Sequence, residues 1–173
     1  MSKQSGERSG GQSGGQTDDG SSRFRRQLET WLAERASSFD AWAEETGQPG
    51  RWDFTPESLD ALEDLVRSRY GSDAAIDAGR TDPFLQGAIW YIGEMACRKK
   101  GLVWHYWPFA TGRAPLPDLF ASGEPGFIDS PSVGKRNARE GQGTDPLGLL
   151  LSLFWEKDDI DRPLSAHLRD ILK

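Results

Sequence analysis

The stretch from Pro83 to Lys100 (PFLQGAIWYIGEMACRKK) limits what this chain can fold into more than any other segment. Asp82 offers a capping oxygen, and Pro83 suits the first helical position, where its missing N–H is no loss. Arg98-Lys99-Lys100 places cations in the last turn, and Gly101 is ready for a left-handed cap. Between these ends, Phe84, Leu85, Ala88, Ile89, Trp90, Tyr91, Ile92, Met95 and Ala96 cover most of the helix circumference. A helix that is apolar on nearly every side has to be surrounded, so the remaining elements are expected to wrap it. Gly87 and Gly93 each cost about 1 kcal/mol against alanine in such a helix. Close approach of another backbone is the expected compensation.

The neighbouring elements follow from periodicity and punctuation. Phe24, Leu28, Trp31, Leu32, Phe39 and Trp42 form one apolar stripe from Arg23 onward, which Ser37-Ser38 is expected to bend or divide and Gly47, Pro49 and Gly50 end. Thr55-Pro56 and Asp145-Pro146 repeat the cap-then-proline signal and predict helices over 56–70 and 146–156; Arg162-Pro163 predicts a weaker one over 163–172. The 56–70 helix is amphipathic, with Glu57, Asp60, Glu63 and Asp64 expected to face water. Leu102–Phe109 is rich in β-formers and reads as a strand that Pro108 ends. Residues 110–145 read as loop, with strands near 116–120 and 126–129. These expectations add up to an α+β domain over 23–173, with four or five helices packed on a small, mainly antiparallel sheet whose strands come mostly from 102–130. Residues 1–22, mostly Gly, Ser and Gln, lack the apolar surface needed to offset ordering entropy and are expected to form a disordered tail.

Composition narrows the function classes. The chain of 173 residues carries seven Trp and eight Phe, so a few large side chains can hold its core. Its net charge of −6 favours neither nucleic acid nor an anionic membrane as partner. The longest nearly continuous apolar run, Leu147–Trp155, falls well short of the roughly 20 residues that span a bilayer. No signal peptide is apparent, and a cytoplasmic location is expected. Cys97 is the only cysteine, and His105 and His167 are the only histidines. An intrachain disulfide is therefore impossible, and neither a metal site nor a cofactor is expected.

Few residues suggest chemistry. Glu94 lies on the apolar helix with Tyr91, Cys97 and Arg98 at helical spacing, and a buried carboxyl can act as an acid or base. His105 follows in the strand, so Glu94, His105 and Tyr91 form the candidate catalytic set. An i,i+4 pairing of Glu94 with Arg98 is the plainer reading. Ser132-Val133-Gly134-Lys135-Arg136 superficially suggests a phosphate loop, but Asp129 stands where that motif needs glycine, and Arg136 where it needs Ser or Thr. What remains there is a small basic patch of Lys135, Arg136 and Arg139. On Leu102–Phe109 both alternating faces are apolar or aromatic, so the strand is either sandwiched or presents aromatics outward. Trp104, Tyr106, Trp107 and Phe109, with Arg136 and Arg139, are the candidate binding residues.

Two segments also carry a resemblance. Trp52-Asp53-Phe54-Thr55-Pro56-Glu57-Ser58-Leu59-Asp60, and Gly87-Ala88-Ile89-Trp90-Tyr91-Ile92-Gly93-Glu94 with Gly101 and Trp104-His105-Tyr106, resemble small uncharacterised actinobacterial proteins. Those proteins pair a D-F-[ST]-P-E-S-L helix start with a G-A-Y-x-G-E helix that leads to a glycine-and-tryptophan strand. The resemblance covers about residues 24–109 and departs at Trp90-Tyr91 and after Pro108. It implies a fold and a bacterial cytoplasmic setting, and supplies no activity. By analogy with small α+β domains that neutralise toxins, the expected function is a non-enzymatic protein-interaction domain, an immunity or accessory factor. The alternative is a small-molecule-binding or hydrolytic enzyme using Glu94.

Overall fold

The computed structural model describes residues 18–107, 128, 131–155 and 167–173. Six α-helices among these residues run α1 (Asp18–Ser37), α2 (Phe39–Glu45), α3 (Pro56–Arg69), α4 (Asp73–Ala78), α5 (Pro83–Lys100) and α6 (Pro146–Ser152). A short antiparallel pair, β1 (Val103–His105) and β2 (Ser132–Gly134), completes an α+β fold. Single 3-10 turns at Pro49–Arg51 and Leu168–Leu172 join α2 to the α3 approach and close the chain.

The central helix is buried as its composition requires. Twelve of its residues from Phe84 to Ala96 are buried, Gln86 among them, and only Glu94 in that run is partly open. Asp82 accepts from the Phe84 N–H, and Gly101 caps the other end at φ +66°. α1, α2, α6, β1, β2 and the terminal 3-10 turn all pack on α5. The two glycines admit indole rings and not a backbone. A Cβ at Gly87 would lie 2.3 Å from Trp42, and one at Gly93 would lie 2.0 Å from Trp104. Trp42 and Trp31 also donate to polar groups of the helix, to the Phe84 carbonyl and to the Gln86 side chain.

Several boundaries differ from expectation. α1 begins at Asp18, so residues 18–22 of the expected tail are helical, and residues 1–17 lie outside the described set. α4 was not foreseen: its six residues hold a single buried apolar side chain, Ile76, too little for a periodic signal. α6 ends at Ser152, four residues before the expected 156. The final helix shrinks to a 3-10 turn from Leu168, its expected start lying outside the described residues. The strands expected at 116–120 and 126–129 also lie outside them, apart from buried Ile128. β2 forms instead from the pseudo-phosphate segment, with Trp104 opposite Val133 and His105 opposite Ser132.

Two local readings are corrected. Thr55 makes no side-chain cap to α3; its hydroxyl donates to Asp53, and its backbone is extended because it precedes Pro56. Glu63, expected to face water, is only 8% exposed. Its carboxylate accepts from Arg67, from the Leu168 backbone N–H and from His167 Nδ1. The carboxylate thereby fastens the C-terminal turn onto α3, while Arg67 also donates to the Leu153 carbonyl.

Candidate functional site

The three groups suggested for catalysis each have other engagements. Tyr91 is fully buried, and its hydroxyl accepts from the Phe54 N–H at 2.9 Å and meets Ser58 Oγ at 2.6 Å. Ser58 Oγ donates its one proton to the Thr55 carbonyl, so the Tyr91 proton goes to Ser58. Burial pushes the Tyr91 pKa up, and its hydroxyl is a structural post for the 53–58 turn. His105 Nε2 lies 2.9 Å from the Lys135 carbonyl, which can only accept, so Nε2 carries the proton. Its ring stacks on Trp107 at 4.7 Å. Glu94 accepts from Trp104 Nε1 at 3.0 Å and from Arg98 Nε at 3.3 Å. Tyr91, Glu94 and His105 thus serve three separate networks.

The strand distributes its aromatics between inside and outside. Trp104 lies over Gly93 and meets Trp31 edge-on at 5.4 Å; Tyr106 meets Phe24 edge-on at 6.0 Å. That face is used by α1 and α5. His105 points the other way by strand alternation, Trp107 beyond β1 stacks on its ring, and both are half-buried. Phe109 lies outside the described residues. Arg136 and Arg139 are exposed beyond β2. Cys97 is half-buried, and burial followed by the nearby Glu94 charge pushes its thiol up to about 12, which makes it a poor nucleophile.

An open cleft lies between α1 and α5, about 440 Å³ in volume. Leu32, Ala33 and Ala36 of α1 form one wall, and Trp90, Glu94 and Arg98, one turn apart on α5, form the other. Phe39 and Phe54 close its end. The lining is therefore aliphatic and aromatic, with one ion pair at the rim. Phe39 lies 5.5 Å from both Phe54 and Trp90, ring centre to ring centre.

Phe54 carries the most unusual backbone of the described residues: it alone among non-glycines has positive φ, at 58°. The local sequence explains how it is held. Asp53 accepts from both the backbone N–H and the hydroxyl of Thr55, bending the chain over Phe54, while Pro56 keeps Thr55 extended. These hydrogen bonds, that to the Thr55 hydroxyl first, hold the Asp53 carboxyl below the usual carboxylate range. The Phe54 ring stacks on Tyr91 at 4.7 Å, and Arg98 lies over it with its guanidinium carbon 3.5 Å from the ring centre. A bulky residue in this conformation costs about 1–3 kcal/mol and persists only where its surroundings over-determine it. The D-F-T-P segment was legible as a helix start, whereas its role in shaping a cleft was not, because that depends on Arg98 and Tyr91 arriving from α5.

Among the described residues no group of His, Cys, Asp and Glu is placed to hold a metal ion, and no helix is long and apolar enough to cross a membrane. Comparison with protein-family models, with curated proteins and with solved structures finds no match to this chain.

Proposed function

We propose that this chain is a non-enzymatic protein-interaction domain, an immunity or accessory factor, which docks its partner in the α1–α5 cleft. The supporting observation is the lining of that cleft: Ala33 and Ala36 are exposed and Leu32, Phe39 and Phe54 half-exposed around an open space. Apolar side chains left in one open hollow, and shaped by a strained Phe54, suit an anchor side chain from a partner. The docking surface lies on the helices beside the Trp104–Phe109 segment, whose Trp104 and Tyr106 are spent on internal packing. The hydrolytic alternative at Glu94 gains no support from the geometry, since both carboxylate oxygens already accept from Trp104 and Arg98. A cytoplasmic setting accords with a single unpaired cysteine.

The test fills the cleft without touching the core. Ala36→Trp places a large ring in the hollow from an exposed helical position. Proteins enriched on the immobilised full chain from native lysate are compared with those on Ala36→Trp and on Trp107→Ala. The reading expects a protein that is retained by wild type and Trp107→Ala and lost from Ala36→Trp. Equal enrichment on all three, with circular dichroism unchanged, overturns it.

A further inference from the structure

We propose that the Arg98 guanidinium is a preset carboxylate receptor at the mouth of the cleft. The partner segment it receives is one that carries an acidic residue beside an apolar anchor. This inference rests on the docking reading above and specifies its ligand.

Arg98 is held in place by its neighbours within the chain. A free arginine side chain has many rotamers, and ordering it on binding is unfavourable. Here the ordering is already done. One face of the guanidinium lies on the Phe54 ring, and Nε is tied to Glu94 Oε2. Nε is thus occupied, whereas Nη1 and Nη2 meet no acceptor among the described residues. The side chain is half exposed and lines the cleft, so these two nitrogens are open to solvent at its rim. A planar fork of parallel N–H donors matches the two oxygens of a carboxylate, a geometry an ammonium cannot reproduce.

Local charge points to the same ligand. Arg98, Lys99 and Lys100 are consecutive and exposed at the C-terminal end of α5. Glu94 is the one carboxylate in a salt bridge with them among the described residues, its two oxygens directed at Arg98 and Trp104, and the exposed Asp53 carboxylate also interacts with Lys99. A cationic edge on a chain of net charge −6 is a local exception, and it adjoins the apolar hollow. The complementary segment therefore inserts an apolar side chain between Ala36 and Trp90 and sets a carboxylate against Arg98. The positive φ of Phe54 contributes by presenting its ring edge-on to Trp90 and face-on to Arg98 at once.

The experiment titrates the isotopically labelled full chain by NMR with three probes, following the Trp90 indole and Arg98 Nε signals. The probes are the blocked dipeptide acetyl-Phe-Asp-amide, its neutral counterpart acetyl-Phe-Asn-amide, and free hydrocinnamate. The acidic dipeptide is expected to bind at least tenfold more tightly than the neutral one and to weaken with added salt. Arg98→Gln is expected to erase the difference in affinity between the acidic and neutral dipeptides, with Arg98→Lys in between. Equal binding of the two dipeptides by wild type overturns carboxylate recognition while leaving the docking cleft standing. Tighter, Arg98-dependent binding of hydrocinnamate than of the acidic dipeptide overturns the assignment to a protein segment. No shift of either signal with any probe overturns the receptor, and the docking reading then stands or falls on Ala36→Trp alone.

Discussion

Gly87 and Gly93 show how one missing carbon organises a core. At Gly93 a Cβ would sit 2.0 Å from the Trp104 ring, and at Gly87 2.3 Å from that of Trp42. Both rings are part of the interior and cannot withdraw without disturbing their own hydrogen bonds to Glu94 and Phe84. Alanine gains about 1 kcal/mol of helix propensity at either site, and overpacking of a fixed ring costs about 1–3 kcal/mol or more. Overpacking wins at contacts this short. Gly93→Ala is expected to lower unfolding stability by about 2 kcal/mol in urea titration, with Gly87→Ala close behind. Gly71→Ala, where a Cβ would meet nothing within 4 Å, is the control and should stay within about 0.5 kcal/mol of wild type. A neutral Gly93→Ala would show that Trp104 is not seated on this helix.

At the level of elements, Glu63 is the buried polar tie between α3 and the C-terminal turn, beside the exposed pairing of Arg169 with Asp60. Glu63 is nearly buried and serves Arg67, His167 and the Leu168 N–H together. Removing it leaves those donors without their acceptor. His167 and Arg67 can recover water, being 70% and 37% exposed, whereas the Leu168 N–H cannot. The expected loss for Glu63→Ala is therefore about 2 kcal/mol, below the 3–5 kcal/mol of a fully buried pair. Hydrogen exchange at Leu168 should accelerate with it, and Glu63→Gln, which keeps an acceptor, should restore part of the protection. Unchanged exchange at Leu168 would mean that apolar packing of Leu168 and Ile171, with the Arg169–Asp60 pair, holds the turn without Glu63.

Across the whole molecule, alkaline pH offers a test that draws on several groups at once. Burial raises the pKa of the Cys97 thiol from 9.0 to about 12, and raises those of Tyr91 and Tyr70 above 10. Each group is more easily ionised in the unfolded chain. Their contribution to stability is thus full below about pH 9 and is lost as pH rises toward 12. Urea midpoints should be flat from pH 7 to 8.5 and fall steadily above pH 9, with Cys97→Ala removing the earliest part of that fall. A profile for Cys97→Ala that overlays wild type would place the thiol in water.

The amino-acid sequence already dictates that one helix lies at the centre. Nothing but burial accommodates an apolar circumference, and Asp82-Pro83 and Gly101 state its ends within three residues of backbone. It also determined the division at Ser37-Ser38 and the α+β class, because periodicity and turn chemistry are local properties. Tertiary structure alone decided what the polar and aromatic side chains are for. Glu63 reads in sequence as a water-facing acid and Glu94 as a candidate acid or base, and only their neighbours make one a fastener for the C-terminus and the other an anchor for Trp104 and Arg98. The same holds for the strand, where the choice of Trp104 and Tyr106 as its inner face follows from the space that Gly93 and α1 leave open. The cleft is the clearest case. Its walls come from residues up to 66 positions apart, from Leu32 to Arg98, and their adjacency is a consequence of how α1 lies on α5, which no local pattern encodes.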